Sequence, residues 1–250
     1  MATALPLARA RLAPPWDPTT AHFAWLAVSS LLSLGVAMLL YPEPFLFWEY
    51  PLSDLGRCST AAGAPNWASL AAFCFGMVRG ALTMSSLGAS FLRERRAGHS
   101  VLEAALAFSA AAGFLGTCVP HDLCHTGHVI GSAMMVFSLW ALAVLLLVEA
   151  ARRAAKALAL SGQLLLQGTV LTYAVAYVAD LPFKQAAQKC AVAGLFLVLC
   201  LASTALARAR EARARSPVTI PPTQPGLMSP SAPTVCSSTC AAVAPRGLPR

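Results

Sequence analysis

Charge is scarce in this chain. Only 11% of the 250 residues are Asp, Glu, Lys or Arg, and just 10 are acidic. A soluble domain of this size carries about twice that share, so a water-soluble globular fold is excluded. The ten-residue alternation of membrane β-strands is missing as well, which excludes a barrel. The 8 cysteines lack zinc-finger spacing, so no disulfide framework can be read from them. Residues 1–20 lack an apolar core and are interrupted by Pro14, Pro15 and Pro18, so no cleavable signal peptide is expected. Internal repeats, inverted symmetry and a complete catalytic motif are also lacking.

Apolar length is abundant. Hydrophobic residues make up 57% of the chain and mean hydropathy is +0.64. They fall in runs of about 20 residues, the length that crosses a bilayer as a helix. The expected fold is all-α: a polytopic six-transmembrane-helix bundle with spans near 22–40, 66–91, 100–117, 126–148, 157–179 and 185–207. Residues 1–20 form a cytoplasmic lead, 21–210 the transmembrane domain, and 211–250 a cytoplasmic tail whose Pro, Ser, Thr and Ala content predicts disorder.

The net charge of +8 does not point to nucleic acid, because the basic residues flank the apolar runs without interleaved aromatics. Twelve of them lie in the lead, the second and fourth loops and the start of the tail. Only Arg57, Lys184 and Lys189 lie in the other three loops. By the positive-inside rule both termini are cytoplasmic, and the first, third and fifth loops share the extracytoplasmic face.

Three polar groups converge on that face. The first loop offers Glu49, Ser53 and Asp54. The segment Cys118-Val-Pro-His-Asp-Leu-Cys-His-Thr-Gly-His128 offers His121, Asp122, His125 and His128. If helical, it places its imidazoles within an arc of roughly 60°. The fifth span offers Thr169, Tyr173, Tyr177 and Asp180, whose spacing predicts one helix face. His121 and His125, at i and i+4, can share a zinc ion with His128, with Asp54 or Asp122 completing the set. The same groups can instead bond one another and hold the first loop onto the bundle, or form a pH-responsive cluster. Ser53-Asp-Leu-Gly56 also reads as a turn or helix cap. A disulfide from Cys58 to Cys118 or Cys124 is chemically permitted there.

Arg79 is the only basic residue central to a span. It suits a lipid headgroup or other anion, or pairs with Glu103. Gly76 and Gly80 form a G-x-x-x-G, which close helix packing explains; a homo-oligomer stays open.

The segment Tyr41-Pro-Glu-Pro-Phe-Leu-Phe-Trp-Glu-Tyr-Pro-Leu-Ser-Asp-Leu-Gly-Arg57, followed by Gly63 and Asn66, resembles the signature loop of a six-helix membrane-protein family. That family is catalogued as domain of unknown function 998 and is related to the damage-regulated autophagy modulator-like proteins. Val119-Pro-His-Asp-Leu-Cys-His125 resembles its second signature segment, with His121 where an acidic residue is usual. The fifth loop departs from the pattern, with Lys184 and Lys189 in place of a Glu-Arg pair. The resemblance spans residues 22–207 and implies the six-helix fold and an outer site of Ser53, Asp54, Asn66, Asp122 and His125. A more distant likeness is to the seven-helix alkaline ceramidase superfamily, whose zinc site uses Ser, Asp and His.

The leading expectation is a lipid-sensing or membrane-organising protein whose partners are membrane lipids, in a bacterial plasma membrane or else a eukaryotic endomembrane. One alternative is a zinc-dependent hydrolase of a lipid amide or ester, with Ser53 or Tyr177 steadying the oxyanion. The other is a small transporter built on Arg79 and the fifth-span stripe.

Overall fold

The structure, a computed structural model, describes residues 17–93, 99–153 and 155–215. Residues 1–16 of the lead, the tail beyond residue 215, and Arg95 and Arg96 lie outside them. Six α-helices follow in order: α1 Pro18–Leu39, α2 Trp67–Arg93, α3 His99–Thr117, α4 His125–Arg152, α5 Lys156–Val178 and α6 Lys184–Arg215. All except α3 are long and apolar enough to cross a membrane; α3 contains a shorter apolar stretch, Val101–Thr117. This is the architecture of an integral multi-pass membrane protein.

Local chemistry sets the ends. Pro18 stands in the first turn of α1, where its missing N–H costs nothing. Pro42 and Pro44 follow the end of α1 and supply no donors to extend it. At the end of α5 the Leu181 amide donates to the Ala176 carbonyl at 2.8 Å and the Asp180 amide to Tyr177 at 3.3 Å. This six-to-one and five-to-two pair reverses the chain through Asp180 at φ 51°, the left-handed conformation that glycine usually fills and that aspartate tolerates.

Helices α1 to α4 pack in sequence, and α6 closes the bundle against α4 and α1. The peripheral α5 touches α4 and α6 and buries only Ala159, Leu166 and Ala176. Small residues set the closest approaches. Between α3 and α4, a Cβ on Gly116 would lie 2.8 Å from the Gly131 Cα. The G-x-x-x-G of α2 serves two neighbours within the chain: Gly76 receives Ser33 of α1, and Gly80 receives the Phe114 ring of α3. Ser138 donates to Ser109 at 2.8 Å between α4 and α3, and the Trp140 indole donates to Gln167 at 3.1 Å between α4 and α5.

The pairing of Arg79 with Glu103 is corrected. Gly80 lies against Phe114 and Gly88 against Phe108, so in this antiparallel register Glu103 stands near the far end of α2. Arg79 instead places its guanidinium carbon 4.9 Å from the Trp25 ring centre and 6.0 Å from that of Phe75.

Candidate functional site

The loop after α1 is built on its aromatic residues. Tyr41, Phe45 and Tyr50 form a cluster with ring centres 5.4 to 6.5 Å apart. Pro51 then starts a 3-10 helix, Leu52–Gly56, that buries Leu55 completely. Gly56 lets this turn lie flat on α2, since a Cβ there would meet the Phe73 ring at 2.7 Å. The buried Asn66 amide donates to the carbonyls of Arg57 at 3.1 Å and Asp54 at 3.4 Å. Ser69 donates to the Leu55 carbonyl at 3.2 Å. Asn66 is therefore a clamp on the Ser53–Arg57 turn, and the turn reading of that segment agrees with its geometry.

Two α6 residues hold the same loop from the other side. The Leu52 amide donates to Gln188 Oε1 at 3.0 Å. The Lys189 ammonium donates to the Tyr50 carbonyl at 2.6 Å and lies over the Phe47 ring. Lys189 is buried. A lysine on the second turn of an apolar helix is the signal that could have marked it, because its cost demands an acceptor.

Asp122 links the first loop to the segment between α3 and α4. Its carboxylate accepts from the Cys58 amide at 3.0 Å, the Ser59 amide at 3.1 Å and the Ser59 hydroxyl at 3.3 Å. Desolvation alone would push this carboxyl up, but the donors from Cys58 and Ser59 prevail and hold it below the usual aspartate range. Asp54 behaves oppositely. Burial holds its carboxyl up despite the Arg57 guanidinium 3.7 Å away and despite His121.

The histidines gather, but not through a shared helix. α4 begins at His125, so His121 reaches its neighbours from the preceding turn. His121 Nε2 and His125 Nδ1 are 2.6 Å apart, and the His121 ring centre is 4.5 Å from that of His125 and 5.5 Å from that of His128. Burial, with the positive fields of His125, His128 and Arg57, holds His121 below the ordinary histidine value, and Asp54 opposes this. His128 is buried, and its Nδ1 donates to the Val119 carbonyl at 2.8 Å. In the neutral ring this leaves Nε2 as an acceptor. Among the described residues no group of three or more His, Cys, Asp or Glu is disposed to hold a metal ion. His121 and His125 are hydrogen-bonded to each other, while His128 packs its ring beside His121 and bonds the Val119 carbonyl.

Two expected members of the site stand apart. Tyr177 is 55% exposed, and Asp180 is paired in the exposed α5–α6 turn with Lys184. The helical stripe fails at its last position because α5 ends at Val178 and the left-handed turn re-aims Asp180. Lys184 draws the Asp180 carboxyl down by that pairing. The permitted disulfide is also corrected: Cys58, Cys118 and Cys124 are free thiols. Cys118 lies against Cys74 of α2, each sulfur near the other's carbonyl, at 3.6 and 3.8 Å.

Beneath the loop lies a cavity of about 150 Å³ reached by all six helices. One end carries Ser53, Thr117, His128, Ser132, Tyr173 and Gln188, and its depth is walled mostly by apolar groups including Leu34, Phe114 and Leu195, with the buried, unpartnered Ser30 hydroxyl among them. Tyr173 and Gln188 both line the polar end. The polar end holds donors and acceptors but no permanently charged group, so it matches an uncharged hydrogen-bonding head on an apolar body. Sequence reasoning placed the polar groups on this face but not the cavity, because Gln188, Ser132 and Thr117 are isolated residues in apolar runs. No family model, curated protein or solved structure matches this chain.

Proposed function

We propose that this chain is a lipid-sensing membrane protein of six spans. Its bundle takes the apolar part of a neutral amphiphile, with the first loop as the cover. Both termini are cytoplasmic, and the cover faces outward from a plasma membrane, the bacterial one being favoured. The carrying observation is the cavity, mostly apolar in depth, where Ser30 is the polar exception, and polar at the end beneath Ser53. Hydroxyl or amide heads suit that end: Gln188, Tyr173 and the His128 Nε2 acceptor can bond them without a counter-ion. The resemblance of the first and third loops to the six-helix family supports the reading, because those are the two segments that Asp122 ties together. On this reading α3 is a span of minimal length, about 26 Å from Val101 to Thr117.

Mass spectrometry of the full-length protein, released from detergent with its bound lipids, tests the proposal. Wild type is expected to retain a neutral amphiphile. Val192→Phe, which fills the cavity wall, is expected to retain at least tenfold less at unchanged helix content. Equal retention by both would overturn the reading.

Metal content provides a second check. Protein purified without chelator is expected to carry no stoichiometric zinc. One zinc per chain, lost in a His121→Ala, His125→Ala double variant, would replace lipid sensing with the zinc-hydrolase alternative.

A further inference from the structure

We propose a second site on the outer surface of the α1–α2 pair, for the anionic head of a membrane amphiphile, phosphate or carboxylate, gripped by Arg79. A cleft of about 400 Å³ lies there, with Arg79, Trp25, His22, Thr83 and Ser86 among its walls. It faces the bundle's surroundings: Trp25 is 52% exposed and Leu82, also in the wall, 64%.

The register of the two helices shows where the guanidinium goes. Ser33 lies level with Gly76, and His22 Nε2 is 3.1 Å from Ser86 Oγ. Trp25 therefore stands level with residues near 83 and 84, about five positions beyond Arg79, or roughly 7 Å along the axis. The guanidinium carbon sits 4.9 Å from that Trp25 ring centre. The same guanidinium carbon lies 6.0 Å from the ring centre of Phe75, one turn toward the start of α2, so it sits between the two rings. From Arg79 the cleft continues past Trp25 to His22 and Ser86, toward the end of the bundle where α1 starts and α2 stops, which also carries Arg93, Arg152 and Arg153. That path lets a cation reach from an apolar zone toward lipid headgroups.

Among the described residues the ion pairs use Arg57, Arg153, Lys184 and Arg210, and none gives Arg79 a carboxylate. Its protein neighbours are aromatic faces, which favour a cation but do not neutralise it. A planar guanidinium offers two parallel N–H donors to a phosphate or carboxylate. Trp25 and Leu82 then flank the acyl chain. His22 and Ser86, bonded to each other, form a polar rim roughly one turn nearer the start of α1. Because Arg79 alone supplies the charge, a single substitution removes it. The cleft is separate from the central cavity, so this proposal stands or falls independently of the neutral-lipid reading.

The test uses full-length protein in phosphatidylcholine nanodiscs, with dioleoyl phosphatidate, oleate or dioleoylglycerol added in turn, read by thermal unfolding and lipid adducts. Phosphatidate, oleate or both should raise the wild-type unfolding temperature, and whichever acts names the head. Arg79→Gln should weaken that lipid's binding more than tenfold while unfolding no earlier than wild type in phosphatidylcholine alone. Arg79→Lys should keep part of the response, having charge without the fork. A full response in Arg79→Gln, no response to either anion, or an equal response to dioleoylglycerol would overturn the site.

Discussion

Gly131→Val should leave little folded protein. A Cβ at Gly131 would fall within the contact distance of the Gly116 and Thr117 backbones. Backbone cannot rotate aside as a side chain can, so α4 must move off α3. The lost packing of this pair, with the strain of any partial fit, is expected to cost about 3 kcal/mol or more. The effect is large because α3 is the shortest apolar helix and α4 is the neighbour against which it packs most extensively. In the bilayer, where lipid tails are as apolar as leucine, such close contact is the main attraction between helices. Size-exclusion yield and thermal unfolding in detergent would measure it. Gly35→Val is the control: nothing lies within 4 Å of a Cβ at Gly35, and it should unfold near wild type. Equal melting of the two variants would refute the backbone contact.

Asp122→Ala should release the first loop without unfolding the bundle. It removes an acceptor shared by two backbone amides and one hydroxyl. At this exposed position such charge-assisted bonds are worth about 1–2 kcal/mol together. The readout is local: faster exchange of the Cys58 and Ser59 amides and faster maleimide labelling of Cys58, with little change in helix content.

The same tie has a pH dependence of definite sign. The Asp122 carboxyl is lowered in the fold, so its contribution is present above the ordinary aspartate value, about 4, and is lost as pH falls through the folded value. His121 is also lowered. Its contribution is present above about 6.5 and is lost as pH falls through its own folded value. Acid therefore loosens the loop in two stages, with His121→Gln removing the upper one and Asp122→Ala the lower. The raised Asp54 carboxyl acts the other way, its contribution being present at low pH and lost as pH rises. A loop whose amide protection was flat from pH 7 to pH 3 would contradict these assignments.

The helices were legible in the sequence because long apolar runs admit few alternatives, and each expected span overlaps a helix. Asp122 and the histidines were legible as a group because polar residues beside a membrane span are costly, whereas Asn66 was marked only by the family resemblance. Their partners were not. Asp122 bonds backbone amides, which carry no side-chain signature, and Asn66 bonds carbonyls. The stripe through Tyr177 to Asp180 misled because periodicity assumes that the helix continues, and no glycine marks where it stops. Gln188 was missed because one glutamine in an apolar run gives no pattern. The cavity depends on how six helices leave a gap, and no single helix encodes that.

The anchoring of the first loop to α6 carries a consequence for biosynthesis. Leu52 and Tyr50 meet their partners 136 and 139 residues later in the chain. When α1 through α5 have entered the membrane, the whole cover has been delivered, whereas Gln188 and Lys189 reach it only with α6. Until α6 arrives, the Leu52 amide and Tyr50 carbonyl lack those partners, and the lumen beneath them is bounded on one side by lipid. Closure of the outer mouth thus reports that the last helix is in place. An amphiphile drawn from the bilayer during that interval would be enclosed as the chain is finished, rather than having to enter afterwards.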